Sequence, residues 1–189
     1  MLFRSQTVLD DIFRDWERWC ADLLSTHISY PVLVFFRSQH SNQSWLGALT
    51  AMLDVTSLVM TGVNEIQTDQ AKLTFAMARH AVVDLAQVFS TPPERAQQRL
   101  SSEQLARLRE RLAAGGVSLR DRPDFEERLT ELRRMYEPYV VALANYLAVP
   151  LPPWVREVER PDNWQTSAWD RVVKLPARGR AASSEEEHF

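Results

Sequence analysis

Near the start of the chain, apolar residues recur every three or four positions: Leu9, Ile12, Phe13, Trp16, Trp19, Cys20, Leu23 and Leu24. Asp10, Asp11, Arg14, Asp15, Glu17 and Arg18 fall mostly between them. This is the period of a helix with one buried face, and it predicts a first helix over residues 5–26. A turn follows at 27–29. Ser29 then reads as an N-cap with Pro31 in the first turn, opening a short second helix over 30–39. The polar run 41–44 can cap a third helix, 45–63, which is apolar almost all round and closes at Gly62 and the polar stretch 64–69. The fourth helix begins at Thr68 or Asp69 and continues to Phe89. Its apolar face is wide (Leu73, Phe75, Met77, Ala78, Ala81, Val82, Leu85, Val88, Phe89), and Thr91-Pro92-Pro93 ends it.

Beyond the prolines the pattern becomes polar. Residues 95–114 read as a surface helix, with Ser101 and Gln104 spaced as a capping box and Gly115-Gly116 as its stop. A long helix over 124–147 carries Phe125, Leu129, Leu132, Met135, Tyr136, Tyr139, Val140, Leu143 and Leu147 inward, with a kink expected at Pro138. Residues 150–175 lack periodicity and hold Trp154, Trp164 and Trp169, as an extended arm laid against the helices would. Residues 176–189 are small and charged, the composition of a disordered tail. The expected fold is therefore all-α: one domain, residues 5–175, built as a bundle of about six helices. It has an apolar half (5–90), a second half with the surface and kinked helices (95–147), the arm (150–175) and the tail. No internal repeat is present.

Composition narrows the function classes. With 189 residues, 45% hydrophobic and 25% charged, the chain suits a single globular core. Five glycines are too few for an all-β fold rich in tight turns. A net charge of -3 lacks the basic footprint of a nucleic-acid binder. The single cysteine, Cys20, has no partner for an internal disulfide, which agrees with a reducing compartment. No basic start followed by an apolar run marks a signal peptide, so a cytoplasmic location is expected. The run 45–63 is the one stretch resembling a membrane span, but Asp54 sits near its centre, at a cost of about 2.5–3.5 kcal/mol on insertion scales. No Lys or Arg lies between Arg37 and Lys72 to anchor it. A core helix explains it better, and no transmembrane segment is expected.

Candidate chemistry is sparse. His80 and Asp84 are four apart on a helix and share a face, a spacing that can serve a metal. A metal needs further ligands, for which His40 or Asp54 are candidates; a plain hydrogen bond between His80 and Asp84 is the commoner use of such a pair. Asp54, a carboxylate in an apolar helix, requires a partner, and Arg37 and Arg79 are the natural guanidinium forks. Arg37, His40, Asp54, Arg79, His80 and Asp84 are thus the ligand or polar-network candidates, with structural duty favoured. No nucleophile elbow, phosphate-binding glycine loop or zinc-protease motif occurs, Cys20 lies on an apolar face, and no catalytic residue or cofactor is expected.

Three stretches together carry a family likeness. The first runs from Ser29-Tyr30-Pro31 through Phe36-Arg37-Ser38-Gln39-His40, Asn42-Gln43-Ser44-Trp45-Leu46 and Ala48-Leu49-Thr50 to Leu53-Asp54. The second is Leu73-Thr74-Phe75-Ala76-Met77-Ala78-Arg79-His80-Ala81-Val82-Val83-Asp84-Leu85. The third is Asn163-Trp164-Gln165-Thr166-Ser167-Ala168-Trp169. The set, spanning roughly residues 9–170, resembles the cytoplasmic C-terminal region of bacterial two-transmembrane, potassium-channel-like proteins. This chain has no pore helices and no filter of the Thr-Val-Gly-Tyr-Gly type, so it does not conduct by itself. The resemblance implies a non-enzymatic regulatory or assembly domain at the inner face of the plasma membrane, a homo-oligomer whose partner is a channel pore segment. The alternative is a helical metal-binding protein or metalloenzyme using His40, His80 and Asp84.

Overall fold

The computed structural model describes residues 2–35, 44–63, 66–94, 98–120 and 122–155. These residues are helical, as expected: α1 (Leu2–Ser29), a 3-10 helix (Pro31–Phe35), α2 (Trp45–Gly62), α3 (Asp69–Val88), α4 (Ser102–Ala114), α5 (Phe125–Arg134) and α6 (Glu137–Leu147). No strand occurs among them; Val63 and Leu119 form one isolated antiparallel bridge.

The main core is shared by α1, α2, α3 and α6. Cys20, Leu24, Leu46, Leu49, Leu53, Phe75, Ala78, Val82, Leu85, Tyr136, Val140 and Leu143 meet there. α2 is buried nearly all round, and its buried hydroxyl residues are satisfied within the helix. The hydroxyls of Thr50, Ser57 and Thr61 donate to the carbonyls of Leu46, Leu53 and Ser57, four residues back, at 2.6–2.8 Å. α2 alone among the described residues is long and apolar enough to cross a membrane, and 67% of that stretch is buried against the other helices. Ser44 starts it, its Oγ accepting from the Gly47 N–H at 2.9 Å. Helices α1 and α3 are joined by packing and by the Thr74 hydroxyl, which donates to the Phe13 carbonyl at 2.9 Å.

Five expectations shift. The first helix continues through the turn expected at 27–29 and ends at Ser29, which is therefore its last residue and not the N-cap of the next. Ile12 is exposed rather than inward. The second helix is described only as the 3-10 turn, Pro31–Phe35; residues 36–43 lie outside the described part, as do 156–189 with Trp164 and Trp169. The polar helix starts at Ser102 rather than near 95, because both bonds of the Ser101–Gln104 capping box form and fix the start. The long helix is two helices. Pro138 has no N–H and crowds the carbonyl four residues back, so α5 stops at Arg134, Tyr136 leaves helical geometry at φ −132°, and α6 begins with the proline in its first turn. Gly115 and Gly116 do end α4, Gly116 at φ 80°.

Candidate functional site

The junction of α5 and α6 faces Asp54 in the middle of α2, and a charged cluster is buried between them. Asp54 is 6% exposed, and its partner is Arg99, in the non-helical stretch just before α4. Arg99 grips it with both terminal nitrogens, Nη1 to Oδ1 at 3.1 Å and Nη2 to Oδ2 at 2.8 Å. The Tyr136 hydroxyl donates to the same Oδ1 at 2.6 Å. Arg99 also reaches Glu137 Oε1 at 3.3 Å and the Pro152 carbonyl at 2.9 Å. Glu137 is gripped in turn by Arg133, Nε to Oε1 at 3.0 Å and Nη2 to Oε2 at 3.2 Å. Trp154 completes the enclosure, with the Arg133 guanidinium 5.7 Å from its ring centroid.

The cluster is charge-balanced, two guanidinium groups against two carboxylates, and every carboxylate oxygen accepts at least one hydrogen bond. Burial pushes the Asp54 pKa up, against the opposing pull of Arg99 and Tyr136. Burial acts to lower that of Arg99, but its bonds to Asp54 and the carboxylate's charge outweigh this and hold its proton more firmly. Burial, with the charge of Asp54 beside it, lifts the Tyr136 phenol well above its ordinary range. In chemical terms this is a closed staple. It ties α2, the stretch before α4, the α5–α6 junction and the residues after α6 into one register, and it leaves no carboxylate oxygen unbonded to engage a ligand.

The sequence candidates are distributed differently. Asp54 is buried and paired as expected, but neither proposed arginine is its observed partner. Arg79 extends along the surface and its Nε donates to the Met135 carbonyl at 3.2 Å. Arg37 and His40 lie outside the described residues. His80 Nε2 and Asp84 Oδ2 do meet, 3.4 Å apart, on α3, with the His80 side chain 61% exposed where Asp54 is buried. No group of three His, Cys, Asp or Glu able to hold a metal ion occurs among the described residues. Cys20 is fully buried, and burial, with a smaller contribution from Glu17, pushes its thiol up to about 12, the behaviour of a core residue rather than a nucleophile.

Arg99, Arg133, Tyr136 and Glu137 are the residues that sequence reasoning missed. Arg133 and Glu137 left a trace: they are four apart, and Arg133 is four beyond Leu129 on the inward face. Arg99 left none, because its pairing to Asp54 spans 45 positions and a stretch without periodicity.

A second feature is apolar. At one end of the bundle Val34, Phe35, Trp45, Leu46, Leu147 and Val149, with Ser44 as the polar member, line a cavity of about 270 Å³. Val32 and Phe35 are three apart and so eclipse on one face of the 3-10 helix. Phe35 lies 6.1 Å from Tyr146 between ring centroids, and Tyr146 stacks on Phe89 at 6.1 Å. Tyr30, Val32, Phe35 and Tyr146 are 49–65% exposed, and the touching Phe35 and Tyr146 rings give this end exposed aromatic surface. No protein-family model, curated protein or solved structure matches the chain.

Proposed function

We propose that the chain is a non-enzymatic assembly domain, one that self-associates through its aromatic end face and serves beside a potassium-channel-like pore. The carrying observation is that face: Phe35 and Tyr146 are exposed and in ring contact, Val32 is exposed on the Phe35 side of the 3-10 helix, and a cavity lined mainly by apolar residues lies beside them. Contiguous apolar surface of this kind marks an interaction site, whereas scattered exposed residues do not. A second copy of the chain is the occupant that fits, since a two-fold contact sets ring on ring and brings no like charges from these residues together. The buried staple supports the reading from the other side: its groups are committed to one another, as a rigid assembly unit needs. The channel partnership rests on the likeness of residues 29–54, 73–85 and 163–169 to the cytoplasmic region of that group. Pores of that group close around four filter loops, so pairwise contacts between these domains are a natural complement.

The test is the molar mass of the purified chain by light scattering over a concentration series, repeated with Phe35→Asp. The reading requires a defined oligomer that the variant dissociates while its helical circular dichroism is retained. A monomer at every concentration refutes it.

A further inference from the structure

α4 touches the rest of the protein along one stripe. Of its 13 residues Leu105 alone is buried, with Gln104, Leu108, Arg109 and Leu112 half-covered and the remainder exposed. By contrast, α3 buries eight of its 20 residues. The stripe lies over Leu58 of α2 and Phe125 and Leu129 of α5, which with Leu100 and Leu105 form a satellite core separate from the main one. Arg109 stacks 4.7 Å from the Phe125 ring centroid and faces Glu126 at 4.0 Å. Each end of the segment is fastened by polar contacts, with Leu100 and Leu119 packing beside them. Before α4, Arg99 is locked to Asp54, Glu137 and the Pro152 carbonyl. After it, the Arg120 N–H donates to the Gly62 carbonyl at 2.6 Å, next to the Val63–Leu119 bridge. The backbone turns through left-handed conformations at Ser90 (φ 53°), ahead of the first fastening, and at Gly116 (φ 80°), between α4 and the second.

A helix this short is not stable on its own, and little burial holds this one down. Segments with few buried apolar contacts open at free energies well below that of global unfolding. We infer that α4 is a strap over a groove between α2 and α5, latched by Arg99, and that it opens as a unit while the α1–α2–α3–α6 core stays folded. The opened groove takes an amphipathic helix of α4's own chemistry. Its present occupant defines that chemistry: leucines at the spacing of 105, 108 and 112 for the floor of Leu58, Phe125 and Leu129, and a guanidinium at position 109 for the Phe125 ring and the Glu126 carboxylate. This groove is distinct from the aromatic end face, so either reading stands or falls without the other.

Hydrogen exchange read by mass spectrometry on the full chain tests the strap. In the wild type, amides of α4 are expected to exchange by a local opening, faster than those of α3 and α6. Leu105→Asp/Leu108→Asp, which makes the stripe polar without touching the staple, should strip α4 of protection by about tenfold or more while α3 and α6 keep theirs. Loss of protection in α3 and α6 in step with α4 overturns the strap. The charge-neutral pair Asp54→Asn/Arg99→Gln should also speed α4 exchange, by about tenfold, because it removes the latch and leaves no uncompensated charge. Unchanged α4 exchange in that variant overturns the latch. A fluorescein-labelled peptide of residues 98–116 should then bind the Leu105→Asp/Leu108→Asp chain saturably and the wild type not at all. No binding to that variant, with its α3 and α6 still protected, overturns the groove's role.

Discussion

Replacing Asp54 with Asn removes one charge from the staple while nearly preserving shape. Asn has a single acceptor oxygen where Asp54 has two, so the two-point grip of Arg99, now at 2.8 and 3.1 Å, is lost. If that oxygen keeps the Tyr136 hydroxyl, the amide nitrogen faces the guanidinium, donor against donor. Two guanidinium groups then share Glu137 alone, leaving a buried net positive charge. Removing one member of a buried ion pair costs about 3–5 kcal/mol, most of it the penalty of the charge left behind. That is a large part of the roughly 5–15 kcal/mol that holds a typical domain. With a urea slope near 2 kcal/mol/M, the midpoint should fall by about 2 M. Arg99→Gln should cost a similar amount for the mirror-image reason, two carboxylates facing Arg133 alone. The double variant restores neutrality, so its loss should be smaller than the sum of the two by about 2 kcal/mol, the size of coupling expected for contacting groups. Urea denaturation followed by circular dichroism on the four proteins closes the cycle. If each single change costs under about 1 kcal/mol, as exposed pairs do, or if the two losses simply add, the staple is not the element described.

Three further perturbations probe the packing and its charges. Gly62→Ala should destabilise by about 1–3 kcal/mol in the same assay, because an added Cβ overlaps the edge of the Phe125 ring, against Cε2 and 2.6 Å from Cδ2. A wild-type midpoint would contradict that close approach. Cys20, fully buried and with its thiol pushed up to about 12, should resist a thiol reagent at pH 8 in the native protein and react at once in urea. Fast native labelling would place it outside the core. The Tyr136 phenol holds its proton more tightly folded than unfolded, so its contribution to stability is complete below the unfolded value near 10.0 and is lost as pH rises beyond it. Ultraviolet titration of Tyr136→Phe against wild type should show identical phenolate absorbance until the alkaline unfolding transition, with the fourth tyrosine appearing only there.

The helical fold was readable from the chain where one physical rule dominated. α1 and α3 follow from the spacing of their apolar residues, and the Ser101–Gln104 box and Gly115-Gly116 mark both ends of α4. The break at Pro138 was visible, but the steric block of that proline ends α5 where a mere kink was expected. Asp54 announced itself as a buried charge in an apolar helix. Its partner did not: Arg99 sits in a polar stretch indistinguishable from solvent-exposed chain, and only the folded topology brings it beneath α6. Arg79, nearer in sequence and on a buried helix, turned out to point along the surface. Local pattern reports which residues need a partner; long-range packing decides which residue provides it. The aromatic end face is a similar case, since Phe35, Phe89 and Tyr146 come from three separate segments.

Self-association through that end face is the claim on which the functional reading depends, and light scattering of the purified chain across a concentration series tests it most directly. A molar mass settling at twice or four times that of the chain, and falling to a single chain with Phe35→Asp, is the expected result. A mass equal to one chain throughout the series, or an oligomer indifferent to Phe35→Asp, would contradict it.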